Sequence, residues 1–323
     1  MSTSLNLADL VAIDMHVHIE CDDHGHTDMP DAFRDAAQQH FGAAHDPLDV
    51  AAVAEHYRAR NMAAVVFTVD HEATTGHPHI SNRHLAEQAA EHADVLIPFA
   101  SIDPARGKAA IEEARILVED YGVKGFKFHP NLQSFYPNDE AAYPLYEQIQ
   151  ALGVPALFHT GQSGIGAGMP GSEGIRLKYS NPLALDDVAV DFPELRIIAA
   201  HPSFPWQDEA LAVAARHNHV YIDLSGWSPK YFPASLIQYA NTMLQDKVLF
   251  GSDFPLLPPD RWITDFENLE IEPKVRPKIM KDNAIRLLQL TNTPATGPGG
   301  DQPGASAASN SSKEALAAAR PST

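Results

Sequence analysis

Eight short apolar runs divide the chain, at residues 12–18, 63–69, 95–101, 123–129, 154–159, 195–201, 220–225 and 247–253. Each is nearly continuous in Val, Ile, Leu, Phe and Ala rather than alternating, the pattern of strands buried on both faces of a parallel sheet. Between them lie segments with helical spacing and start signals. Asp46-Pro47 predicts a helix over 46–60 with Val50, Val53 and Tyr57 as its apolar stripe. Ser81 opens one to about 93, and Asp103-Pro104 caps one that stops at Gly122. Eight such strand–helix units predict an α/β protein built as a closed (βα)8 barrel. The competing open doubly wound sheet lacks support, because no glycine-rich phosphate loop follows the first run. Residues 20–45 have no period and predict a long loop, and 160–181 predict a second. From 291 to 323 the composition turns to Pro, Gly, Ser and Ala, too poor in large apolar residues to fold alone. The expected organisation is one catalytic domain, 1–290, with a disordered tail.

Polar residues interrupt this pattern at one kind of place, the C-terminal ends of the runs. His16 and His18 end the first, Lys127 and His129 the fourth, His159 the fifth, His201 the sixth and Asp253 the eighth. A barrel gathers those ends around one point and builds its active site there. In an extended strand His16 and His18 share a face. Imidazole nitrogens with a carboxylate suit Zn²⁺, Mn²⁺ or Fe²⁺, and three or four such ligands with an open position describe a catalytic rather than a structural metal site. A His-x-His pair alone says little; three further strand ends that agree with it make the metal-site reading the stronger one.

Composition narrows the partners. Acidic residues outnumber basic ones by 42 to 23, giving a net charge of −19 with no basic cluster, which argues against nucleic acid and anionic membranes. The single cysteine, Cys21, allows no intrachain disulfide. The first ten residues carry no basic residue and no long apolar core, and no apolar stretch reaches bilayer length, so a soluble, cytoplasmic protein is expected. The partner to expect is a small molecule; assembly into a homo-oligomer is left open.

His16-Val17-His18, His159, His201 and Gly251-Ser252-Asp253-Phe254-Pro255 together resemble the amidohydrolase superfamily of metal-dependent TIM-barrel enzymes. The phrases Gly125-Phe126-Lys127-Phe128-His129-Pro130 and Ala200-His201-Pro202 are similar to its amidohydrolase-related branch, which includes aminocarboxymuconate semialdehyde decarboxylase. The resemblance implies one divalent ion held by His16, His18, His159 and Asp253, zinc first, with manganese or iron as alternatives. It makes His201 the acid/base beside the metal site, with Asp253 able to share that role. In two-metal members of the superfamily a lysine at the end of strand four is carboxylated and bridges the ions. Lys127 stands at that position, but the surrounding phrases favour one metal and a Lys127 that holds a substrate anion.

Substrate contacts are expected from Lys127, His129, Glu20 and Arg176, with Trp206 and Trp227 among aromatic residues suited to an apolar wall. The leading expectation is a metal-dependent hydrolase acting on an ester, lactone, amide or β-ketoacyl C–C bond, in the breakdown of aromatic or carboxylated compounds. The alternative is non-oxidative decarboxylation of an aromatic or unsaturated acid by the same residues. A metal-binding protein without turnover ranks last.

Overall fold

All eight predicted strands form, and each is followed by helical structure. They are β1 (Ala12–His18), β2 (Met62–Phe67), β3 (Leu96–Pro98), β4 (Phe126–Phe128), β5 (Ala156–His159), β6 (Ile197–Ala200), β7 (Val220–Asp223) and β8 (Val248–Leu249). These come from a computed structural model that describes residues 4–42 and 45–291. The strands pair in parallel, in chain order, as β1-β2-β3 and β4 through β8. Two further parallel bridges, Ala100 with Phe126 and Val17 with Phe254, join these sheets at both seams. Backbone bonds Lys127 N–H to Ala100 O (2.7 Å) and Asp253 N–H to His16 O (3.0 Å) complete the ring. The chain is therefore a (βα)8 barrel.

Two hydrophobic clusters occupy the two sides of the barrel wall. The outer one packs strand residues such as Ala64, Phe126 and Phe158 against helix residues such as Val53, Leu117 and Ile149. The inner one holds Ile13, Met15, Val65, Phe67, Leu157, Ile198 and Leu249. β1 changes face part-way: Ile13 and Met15 belong to the inner cluster, but Val17, two residues on, belongs to the outer one. The cause is an irregularity in the β1–β2 register between Asp14 and Val17. Such a bulge re-aims the side chains beyond it, and here it turns His16 and His18 together into the cavity at the strand ends.

Three expectations change. The stretch 20–45 contains α1 (Asp31–Phe41), an 11-residue helix closed by Gly42 in the left-handed conformation. Its period escapes sequence reading because the face it turns inward, Arg34, Ala37 and Gln38, lines a cavity instead of packing into a core. The next helix, α2 (Val50–Arg58), starts later than Asp46-Pro47 suggests: Asp49 is its N-cap, accepting from the Ala52 N–H at 2.8 Å. The strands are also shorter than the apolar runs, since several run ends continue as buried loop. The expected tail lies, from residue 292 on, outside the described residues. Among those that are described, no helix is long and apolar enough to cross a membrane.

Candidate metal centre and active site

His16 is fully buried and fixed from both ends of its ring. Its Nδ1 lies 3.0 Å from Oδ2 of Asp223, the last residue of β7. A carboxylate there must receive a proton, so Nδ1 carries the hydrogen and Nε2 keeps its lone pair, an assignment made from the network. Burial, then the charge of Lys127, lowers the pKa of His16 to about 3, which keeps the ring neutral. Its bare Nε2 lies 3.3 Å from Oδ1 of Asp253, and His18 Nε2 lies 3.1 Å from the same oxygen. The ligand atoms of these three residues all fall within 4.8 Å of one another. Ligands about 2.0–2.2 Å from a tetrahedral or octahedral ion stand roughly 3.0–3.5 Å apart, so this spacing fits a divalent metal.

His159, the fourth expected ligand, does not join that group within 4.8 Å. It belongs instead to a chain of imidazoles. His201 Nδ1 faces the Ser225 carbonyl at 3.0 Å and Ser225 Oγ at 2.9 Å, while that hydroxyl donates to Asp223. His201 Nδ1 is then the donor, its Nε2 accepts from His159 Nδ1 at 2.9 Å, and His159 Nε2 is left as a bare lone pair. That Nε2 is buried and has no hydrogen-bond partner among the described residues. A buried, deprotonated and unpaired nitrogen has the lone pair that a metal ion or a substrate donor could use. His159 also stacks on His129, with ring centroids 4.0 Å apart. Burial pushes both of these histidines well below their ordinary pKa, and His201 below it as well.

The carboxylates behave differently. Burial opposes their ionisation, yet His16 pulls Asp223 below the usual range, and the imidazoles of His16, His18 and His201 do the same for Asp253. Asp253 and His201 both hold positive φ, 73° and 72°. Side chains of this kind rarely take that conformation, and strain held in place this way clusters at functional sites. Gly226 explains part of the fit: a Cβ there would come within 2.7 Å of His201 Nδ1. Behind the site Asp14 receives Ser252 Oγ at 2.5 Å and Tyr57 OH at 2.7 Å, tying β1 to the end of β8. Burial raises its pKa to about 7.

Lys127 is fully buried, with Nζ 3.0 Å from His16 Nε2 and 4.9 Å from the centre of the Phe67 ring. Among the described residues no carboxylate lies within ion-pair distance of it, and burial lowers its pKa to about 8. The cavity above these groups measures about 400 Å³. Glu20 and Trp227 line it together with Lys127 and His129. Glu20 is held by His45 Nε2 at 2.9 Å and by the Leu48 N–H at 3.2 Å. Arg176 is exposed and, like Trp206, stands outside the cavity lining. Sequence reading missed Asp223, Asp28 and Arg34. Asp223 had the same signal as the others, a carboxylate at the end of an apolar run; Asp28 and Arg34 had none.

A family model described as Amidohydrolase matches residues 13–290. The chain belongs to that family. Among solved structures the chain resembles an uncharacterized TIM-barrel protein from Bordetella bronchiseptica, at 24% identity over 86% of this chain and 98% of that one, with a TM-score of 0.69. It also resembles a 2,6-dihydroxybenzoate decarboxylase complexed with 2,6-dihydroxybenzoate, at 20% identity over 87% and 100%, TM-score 0.63. A third is the dihydroxybenzoic acid decarboxylase of Polaromonas sp. JS666 with bound manganese and the inhibitor 2-nitroresorcinol, at 19% identity over 87% and 97%, TM-score 0.59. At these identities the likeness shows the shared fold. No curated protein matches the chain.

Proposed function

We propose that this amidohydrolase is a metal-dependent carboxy-lyase that removes carbon dioxide from an aromatic or unsaturated carboxylic acid, in preference to the hydrolysis favoured on sequence alone. The observation that carries this reading is Lys127, a buried cation in the cavity with no carboxylate in ion-pair range among the described residues. A buried charge requires a partner, and a substrate carboxylate brings one. A neutral ester or lactone would not. The decarboxylases among its structural relatives lend the same support, and the bound manganese of one of them favours manganese beside the zinc expected first.

His16, His18 and Asp253 would hold the ion, with the bare Nε2 of His159 as the fourth donor. When bound, the ion supplies Lewis acidity toward the substrate's oxygens. The rest is work for the chain. Lys127 Nζ pairs with the substrate carboxylate, and Asp223 keeps His16 in the tautomer that presents Nε2. As the C–C bond breaks, its electron pair stays on the substrate carbon, a proton joins that carbon, and carbon dioxide leaves. That proton would come from solvent by way of His201 or Asp253, each taking it up before passing it to the carbon. Trp227, Leu256 and Leu257 in the wall limit water and favour release of an uncharged product.

The test loads the full chain with manganese or zinc and incubates it with hydroxybenzoates, unsaturated acids, esters and lactones. Carbon dioxide released mole for mole with loss of acid, and abolished by a chelator, is the expected result. Cleaved ester or lactone without carbon dioxide returns the assignment to hydrolysis. Metal binding with no turnover on any of them, unchanged by His201→Ala, favours the non-catalytic reading.

A further inference from the structure

Asp14 is fully buried on β1, two residues before His16. It bonds to Tyr57 of α2, so it faces the helix layer and not the cavity, whose lining it does not join. Each of its oxygens is engaged twice. Oδ1 accepts the His16 N–H at 3.1 Å and the Ser252 N–H at 2.9 Å. Oδ2 accepts the Ser252 hydroxyl at 2.5 Å and the Tyr57 hydroxyl at 2.7 Å. Ser252 Oγ in turn accepts the Phe254 N–H at 3.1 Å. Asp253 therefore stands between two residues anchored on Asp14, directly or through one hydroxyl, and its own N–H donates to the His16 carbonyl at 3.0 Å. These bonds lie where regular strand pairing gives out. The β1–β2 register slips between Asp14 and Val17, and β8 ends at Leu249, before Asp253 takes its positive φ of 73°.

We propose that Asp14 is a positioning residue for the metal centre: by holding the main chain of β1 and of the segment after β8 on one carboxylate, it sets the separation of His16 and Asp253 before an ion arrives. A single oxygen that receives both the His16 and the Ser252 amides pins those two nitrogens to one point. The side chains that follow from them bring His16 Nε2 to 3.3 Å from Asp253 Oδ1. A binding constellation has to be held to within about 0.5 Å by the groups around it, and here the strand ladder is interrupted at both ligands. A carboxyl group is a costly filler for a position buried against a helix layer. It is also the side chain with room for four donors on two acceptor oxygens. Asp14 and Asp223 thus divide the work on one ligand, since Asp223 holds the His16 ring and Asp14 its main chain. The inference rests on the reading of His16 and Asp253 as metal ligands.

Chelator competition for Mn²⁺ and Zn²⁺ on the full chain, comparing Asp14→Asn with Tyr57→Phe, tests it. Asn keeps the size of Asp but offers the two amides an uncharged, weaker acceptor. Metal affinity should fall about tenfold or more, the range found for groups that orient ligands. Tyr57→Phe removes one bond to Oδ2 and leaves both amide bonds in place. It should lower the melting temperature while keeping metal affinity within about twofold. Unchanged affinity in Asp14→Asn, or an equal loss in Tyr57→Phe, would make the network support for the barrel seam alone and overturn the proposal. Hydrogen exchange on the wild type needs no variant. The His16 and Ser252 amides should be protected in metal-free protein and stay so on loading. If they exchange freely until the ion is added, the metal organises the strand ends and the proposal fails. A wild type that binds neither ion would instead sink the ligand reading beneath it, an outcome the amide exchange keeps separate.

Discussion

Nδ1 of His16 lies 3.0 Å from Oδ2 of Asp223, and this one contact decides which nitrogen of His16 faces the cavity. The same carboxylate receives the Ser225 N–H at 2.9 Å and the Ser225 hydroxyl, whose carbonyl in turn fixes His201. Asp223 therefore sets the tautomers of two separate branches of the site. Asp223→Asn should weaken metal binding by about 10–100-fold, in line with other carboxylates that orient a ligating histidine. Competition with a chromogenic chelator reads this directly. Unchanged affinity would mean that His16 holds its tautomer without Asp223.

Gly226 lies where the two branches meet. Its φ is +74°, and a Cβ would stand 2.7 Å from His201 Nδ1 and 3.1 Å from Asp253 Oδ2. Gly226→Ala should cost about 1–3 kcal/mol in stability from conformation alone, with a larger loss of activity as both side chains shift. Gly122→Ala supplies the control, since it has the same sign of φ, +70°, and nothing within 4 Å. Denaturation and turnover of the two variants separate strain from displacement. Equal activity in both would show that His201 and Asp253 tolerate the intrusion.

Much of this was legible in the chain, because the barrel's strands are buried on both faces and show as apolar runs, and the side chains of the candidate site sit where the runs stop. His16, His18, His159, His201 and Asp253 could be read off for that reason. The bulge in β1 could not, because a register shift depends on the neighbouring strand and leaves no mark in composition. Nor could α1. Its inward face meets a cavity, so the apolar stripe that announces a helix is replaced by Arg34 and Gln38. Arg176 and Trp206 lie outside the cavity lining: sequence position places a residue near a strand end without fixing which way its loop runs.

Asp28 should leave a signature in the pH dependence of stability. Its ordinary value of 3.8 is raised well above that in the folded chain, by burial and by Glu20, with Arg34 acting the other way. The native state then holds the proton at pH values where the unfolded chain has lost it. Stability from this group is full below the unfolded pKa and falls as pH rises toward and through the folded one. Asp28→Asn removes that slope, so its stability relative to wild type should grow between about pH 4 and neutrality. Urea denaturation at a series of pH values measures it; a constant difference would mean that Asp28 titrates normally.

Lys127 separates one metal from two. Its Nζ is 3.0 Å from His16 Nε2, the lone pair that a metal would take, so the ammonium and the ion compete for one side of that ring. If Lys127 serves as the partner of a substrate anion, Lys127→Met should retain one metal per chain, bind it at least as tightly, and raise KM sharply. If instead the lysine is carboxylated and bridges two ions, wild type should hold two per chain and the variant should lose at least one of them. Elemental analysis of both proteins, purified with manganese or zinc throughout, distinguishes these outcomes without any substrate. We expect one ion in each, because the nearby donor atoms of His16, His18 and Asp253 form a single group within 4.8 Å of one another.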